Sequence, residues 1–213
     1  MKYAVSTAAM LLASPVFGQD WSGNWLGFSL GYGEGSYEQG DFEADQLGVT
    51  VDVDRVMGGL HYERNFQRGN RVLGFDADLS TGVRGITPQG TPSPYWSCDL
   101  GDCNVNVKTL LTLRARYGWL VTPETMIYGA GGLAAGEVEG GIYDSRQQGS
   151  STAVGYTIGA GLSHMVQPDT MLYVEVNHVD LGTLEFGWAD GPADTLDGKG
   201  DFSTVKVGVN FRF

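Results

Sequence analysis

The chain has 213 residues, 33 of them glycine, with 11% aromatic and 18% charged side chains, a profile that excludes a disordered protein. Its formal net charge of −12 argues against a nucleic-acid partner, whose phosphates would repel it. Two cysteines in one short segment are too few for a disulfide scaffold.

At the amino end, Lys2 precedes an apolar and small-residue run from Ala4 to Phe17 that is too short for a spanning helix. It reads as a secretory signal peptide over residues 1–18, with Val16 and Gly18 as small residues before a cleavage at Gln19. Its removal would take away only Lys2, moving the net charge from −12 to −13. No later stretch approaches the roughly twenty apolar residues of a membrane helix, and the nearest, Met126 to Ala135, is full of glycine. Residues 19–213 are expected to form one domain.

The first predicted strand lies in DWSGNWLGFSLGYG, with Leu26, Phe28, Leu30 and Tyr32 on one face and Gly27, Ser29, Gly31 and Gly33 on the other. Residues 34–53, rich in glycine and acid, read as a long loop. Val49, Val51 and Val53 alternate within it, but the parity changes at Arg55-Val56, which predicts a bulge in a strand extension. The second strand, about Asp54 to Asn65, puts Val56, Leu60 and Tyr62 outward and Arg55, Met57, His61 and Glu63 inward. After a short turn at Phe66 to Asn70, the third sends Leu73, Phe75, Ala77 and Leu79 outward and Gly74, Asp76, Asp78 and Ser80 inward.

A second loop, Thr81 to Asn104, carries CDLGDC, in which Cys98 and Cys103 are expected to pair, since export exposes them to oxidation. Two free thiols are the alternative; zinc is disfavoured because no histidine lies nearby. The fourth strand alternates from Val105 through Val107, Thr109, Leu111, Leu113, Ala115 and Tyr117 to Trp119, with Asn106, Lys108, Thr112, Arg114, Arg116 and Gly118 opposite. Buried arginines require carboxylates on the same inner face. The fifth strand, about Met126 to Glu137, is expected to point Met126, Tyr128 and Ala130 outward. A third loop covers Val138 to Ser151. The sixth strand points Val154, Tyr156, Ile158, Ala160 and Leu162 outward, and the seventh Leu172, Val174 and Val176, with Tyr173, Glu175 and Asn177 inside. A fourth loop, Gly182 to Gly200, precedes VKVGVNFRF, in which Val205, Val207, Val209, Phe211 and Phe213 face one way.

That terminal strand resembles the last strand of bacterial outer-membrane β-barrels. There a final aromatic acts as an assembly signal, a role the resemblance gives to Val209, Phe211 and Phe213. Trp21, Gly23, Trp25, Gly27 and Gly31 resemble the start of the porin-like and opacity-like major outer-membrane proteins of alphaproteobacteria, of the outer membrane protein A-like barrel type. Together the two ends bracket the mature chain. The fold expected is all-β: an eight-stranded antiparallel transmembrane β-barrel with four long extracellular loops and three short periplasmic turns, in the outer membrane.

Within such a barrel the inner faces bring Asp76 and Arg114 to one height, with Glu175 across the lumen and Asp78, Lys108, Arg116 and Lys206 in neighbouring layers. Eight strands leave an interior that side chains can fill, so a plugged lumen is expected. No cofactor is expected. The partners expected are outer-membrane lipid, lipopolysaccharide and the barrel-assembly machinery, with a host surface or peptidoglycan-associated proteins as further candidates. A structural barrel supporting envelope integrity is the first reading, and an adhesin or ligand-binding barrel, using Tyr95, Trp96 and Trp188, is the alternative. A lipid A-modifying enzyme is a third: His178 and Asp180 share an outward face, but no serine follows His178 at the matching position. The acidic string from Asp190 to Asp201 lacks EF-hand spacing and reads as a solvated loop, with weak calcium or magnesium bridging to lipopolysaccharide phosphates as the alternative.

Overall fold

A computed structural model describes residues 19–42, 46–92, 98, 101–142, 148–188 and 195–213. The expected signal peptide, Tyr95, Trp96 and the acidic residues before Thr195 lie outside the described residues, as does the side chain of Trp188. The described elements are nine strands: β1 (Gly23–Asp41), β2 (Gln46–Arg68), β3 (Arg71–Thr81), β4 (Arg84–Thr87), β5 (Cys103–Thr122), β6 (Thr125–Ile142), β7 (Gln148–Gln167), β8 (Thr170–Trp188) and β9 (Thr195–Arg212). All described pairings are antiparallel, and the ring closes because β1 pairs with both β2 and β9. β4 continues the line of β3 between β2 and β5, so nine strands make eight staves.

Short turns at Gly69-Asn70, Pro123-Glu124 and Pro168-Asp169 lie at one end with the start of β1 and the end of β9. Proline supplies a preset φ in the last two, and Gly69 supplies a positive φ of 63° in the first. Nearest this end, the outward face is continuously apolar: Leu26, Phe28, Leu30, Leu73, Phe75, Leu79, Leu113, Leu133, Ile158 and Val207 are all exposed. On β5 this band runs from Leu111 to Val121, which at about 3.3 Å per residue and a tilt near 40° covers on the order of 25 Å. An exposed apolar girdle of that height needs hydrocarbon as its solvent.

Above the band the pattern inverts. Val49, Val51, Val53, Tyr37, Val105, Val107, Val138, Leu181, Leu184, Phe186 and Phe202 turn inward and form one buried cluster, while Glu34, Glu38, Asp52, Asp54, Glu137 and Asp201 are exposed outside. The upper barrel is therefore built like a water-soluble protein, and the lower like a membrane one. This corrects two expectations. The described residues of the segments expected as loops at 34–53, 138–151 and 182–200 are almost all strand. The parity change at Arg55-Val56 is no bulge, since β1 and β2 pair without slippage from Gly23↔Asn65 to Gln39↔Val49. What changes there is the medium outside the wall.

Two further expectations fail for local reasons. On β5 the register slips between Val107 and Thr109, so Lys108 is extruded to the outer surface, where it pairs with Glu139 at 2.7 Å and Glu137 at 3.4 Å instead of joining the interior charges. The same slip carries Val105 and Val107 inward. On β6 the faces are reversed: Met126, Tyr128 and Ala130 point inward, and Ile127, Gly129 and Leu133 outward.

Candidate functional site: the barrel interior

The interior holds three layers. At the turn end, Trp21, Trp25, Val72, Met126, Met165 and Met171 pack together. Trp21 is fixed there by hydrogen bonds from its indole N–H to the Pro123 carbonyl at 3.0 Å and from its backbone N–H to Gln67 Oε1 at 2.8 Å. Apolar bulk with a satisfied indole suits a buried tryptophan. Trp21, just before β1, thus sits inside the turn end of the barrel.

The middle layer is charged. Cross-strand register dictates its composition: Asp76 stands opposite both Arg114 and Glu63, Asp78 opposite His61, and Glu175 opposite Lys206. Arg114 donates from Nε to Asp76 Oδ1 at 2.8 Å, from Nη1 to Glu175 Oε1 at 2.8 Å and from Nη2 to Glu175 Oε2 at 3.1 Å. Such a two-pronged grip on a carboxylate is the geometry guanidinium is suited to. Arg116 pairs with Glu63, lies 3.5 Å from Asp76 Oδ2 and sits 3.8 Å from the centre of the Tyr128 ring. Lys206 Nζ donates to Asp78 Oδ1 at 2.6 Å and to Ser80 Oγ at 3.2 Å. His61 has one ring nitrogen 3.4 Å from Glu63 and the other 3.7 Å from Asp78. All these groups are buried, and the opposite charges offset what isolation would make very costly, although Asp76 Oδ2 and Arg116 Nε make no hydrogen bond.

Six of the seven charged residues expected inside, Asp76, Asp78, Arg114, Arg116, Glu175 and Lys206, lie in this layer, and Lys108 does not. Sequence reasoning omitted His61 and Glu63 from the network. Both share the inward parity of Met57, a signal that was available. It also missed Tyr128, whose hydroxyl donates to Glu175 at 2.9 Å, along with Asn177 and Asn210, which donate to Glu175 at 2.8 Å and to Glu63 at 3.2 Å.

The third layer is the apolar cluster of the upper barrel. Cys98 and Cys103 are bonded to each other within it, and Gln39 Nε2 donates to the Asn104 carbonyl at 2.7 Å. Burial, reinforced by Asp180 and Asp201, holds the Tyr37 hydroxyl above its ordinary pKa range.

On the outer surface, His178 Nδ1 lies 3.8 Å from Asp201 Oδ1, and Ser203 stands opposite His178 in the β8–β9 register. This serine escaped the sequence reading because it is a cross-strand neighbour. No hydrogen bond joins it to His178 among the described residues. Asp180, the other residue of the expected outward pair, instead accepts the Gly182 N–H at 2.7 Å. At the carboxyl end, Val209 and Phe211 lie on the outer face, and the Phe213 N–H donates to the Asn24 carbonyl at 3.1 Å.

Comparison with known proteins follows the same line. A family model described as an outer membrane protein beta-barrel domain matches residues 4–213. A 31 kDa outer-membrane immunogenic protein of Brucella melitensis is 30% identical over 98% of this chain and 90% of its own length. A 22 kDa outer membrane protein of Rhizobium leguminosarum is 28% identical over 90% of this chain and 80% of its own. Among solved structures, the outer membrane protein OprG of Pseudomonas aeruginosa superposes with a TM-score of 0.59 at 15% identity, covering 90% of this chain and 96% of that one. At that identity the likeness speaks for the fold alone.

Proposed function

Since the chain belongs to the outer membrane protein beta-barrel family, and so resides in the outer membrane, we propose that it is a non-enzymatic structural barrel whose closed lumen supports envelope integrity. The observation that carries this reading is the stacking of an aromatic and methionine layer, a paired charge layer and an apolar upper core along one interior. A narrow barrel filled with side chains has no room for the aqueous path of barrels with about sixteen strands. Its apolar band engages outer-membrane lipid, and the acidic wall above it stands at the level of lipopolysaccharide. The barrel-assembly machinery is the partner that inserts it.

Planar-bilayer recording of the purified protein tests the closed lumen. Only small or absent conductance is expected, and steady conductance of the size shown by general porins would refute it. Deleting the gene should sensitise cells to bile salts or large antibiotics, with rescue by the wild type.

A further inference from the structure

Among the described residues, the ladder between β7 and β8 does not run the full height of the barrel wall. β7 and β8 pair from Gln167↔Thr170 up to Tyr156↔Asp180, and there their ladder ends. Both strands continue beyond that point. β7 remains paired with β6 through Ala134↔Gly155 to Gly140↔Gly149, and β8 with β9 through Thr183, Leu184 and Glu185. The two upper segments therefore each carry a ladder on one side only among the described residues.

The cause is a bulge in β8 between Asp180 and Thr183. Gly182 occupies it with a φ of 72°, a conformation open to glycine at little cost. The bulge turns β8 over the interior towards β6. Leu181, Leu184 and Phe186 are buried as a result, and the Phe186 ring lies on the bare backbone of Gly140, where an added Cβ would come within 2.8 Å of it. As β8 leans inward, β7 above Gly155 carries no ladder on that side among the described residues, with Gly182 still beside the Val154 carbonyl.

That edge has an unusual character. Exposed sheet edges are ordinarily blunted by lysine, proline or an inward charge. From Gly149 to Val154 β7 reads Gly-Ser-Ser-Thr-Ala-Val, with none of these. Ala153 faces in, and Ser150, Thr152 and Val154 face out. The flanks are acidic: Glu139 and Glu137 stand opposite Ser150 and Thr152 on β6, and Asp180 and Glu185 lie on β8. Lys108 is the cation paired with the two β6 carboxylates.

We propose that the edge of β7 from Gly149 to Val154 is a strand-addition site for a cationic, extended segment of another protein. Main-chain hydrogen bonds to the open edge supply the affinity, while alternate basic side chains on the outer face meet the carboxylates of β6 and β8. A second copy of this chain is the poorer occupant, because its own β7 edge carries no cation and the chain as a whole is at −12. The inference rests on the pairing of the strands and stands whether or not the lumen conducts.

The test uses the full mature protein in lipid nanodiscs and a synthetic peptide of alternating lysine and valine as the probe. Its control is the same peptide N-methylated at every second amide, which keeps the charge but cannot form the ladder. In free protein, the amides of residues 149–154 that do not bond to β6 should exchange rapidly. Saturating peptide should slow them by about tenfold or more, with no change in the apolar band, and the N-methylated peptide should not. Thr152→Lys, an outward substitution, should weaken binding by about tenfold through like-charge repulsion. Equal binding by the N-methylated peptide would reduce the contact to bulk charge attraction and overturn the proposal. So would edge amides already protected in monomeric protein, which would show that the chain covers its own edge. A concentration-dependent dimer that protects the same amides would assign the edge to a second copy instead.

Discussion

Arg114 on β5 reaches across the barrel to Glu175 on β8 and holds both of its carboxylate oxygens, at 2.8 and 3.1 Å, while its Nε holds Asp76 on β3. One guanidinium thus ties three staves, two of them on opposite sides of the ring. Backbone ladders join only neighbours, so this cross-lumen tie resists deformation that the ladders do not.

Replacing Arg114 by alanine takes the closest cation from two buried carboxylates, leaving Arg116 beside Asp76 and neutral donors on Glu175. Losing one partner of a buried pair typically costs about 3 to 5 kcal/mol. Arg114→Ala should show that loss in denaturant unfolding from lipid vesicles, together with a small leak in bilayer recordings. Leu111→Val should cost less than about 1 kcal/mol, because Leu111 faces lipid at 40% exposure and its truncation leaves no cavity. Equal stability of Arg114→Ala and wild type would show that the network is dispensable.

The Phe213 side chain is exposed at the end of β9, yet its N–H is held by Asn24 of β1. We propose that this outward apolar residue, at the seam where the barrel closes, is recognised during assembly. Deleting Phe213, or changing it to aspartate, should cut the outer-membrane yield and abolish heat-modifiable gel mobility. Normal yield and mobility would remove any assembly role from this residue.

Much of this architecture was legible in the sequence because lipid imposes a strict rule. Where the wall meets hydrocarbon on strands rich in side chains, as from Leu26 to Tyr32 or Leu73 to Leu79, period-two alternation gave the correct face. Legibility fell where that rule stops applying. Val49, Val51 and Val53 follow the opposite rule, because water replaces lipid outside them. Lys108 was misplaced because one extra residue in β5 reverses parity without any mark in composition. Tyr128 was misplaced because glycines 129, 131 and 132 leave β6 with too few side chains to show which face is apolar, and because its hydroxyl serves Glu175 inside. The identity of cross-barrel partners such as Arg114 and Glu175 followed from height and charge; Asn177 and Asn210, uncharged, gave no such signal.

Cys98 and Cys103 are joined within the upper core, so the bond acts on the cap and not on the membrane band. Closing so small a ring limits its contribution to about 2 kcal/mol on the chain-entropy estimate. Non-reducing peptide mapping of exported protein should recover the two cysteines in one cross-linked fragment. Replacing both by serine should increase protease nicking of the segment between β4 and β5 while leaving heat-modifiable mobility intact. Two free thiols in the exported protein would contradict the pairing.

The inversion of apolar faces along β2 gives the sharpest contrast between two substitutions of the same kind. Val51 is fully buried inside the upper barrel and Leu60 is half exposed on the lipid face, though both are aliphatic residues of one strand. Lysine at position 51 places an unpaired charge in an apolar core, so Val51→Lys should open the cap to proteases and leave the lower barrel folded. Lysine at position 60 meets hydrocarbon instead, so Leu60→Lys should cost on the order of 2 to 4 kcal/mol in bilayers if it sits near the midplane, and less nearer an interface. Its cap should stay as resistant as that of the wild type. Limited proteolysis together with unfolding in lipid vesicles separates the two effects. If Val51→Lys leaves the cap protected, Val51 faces water, and the upper barrel does not have an apolar interior.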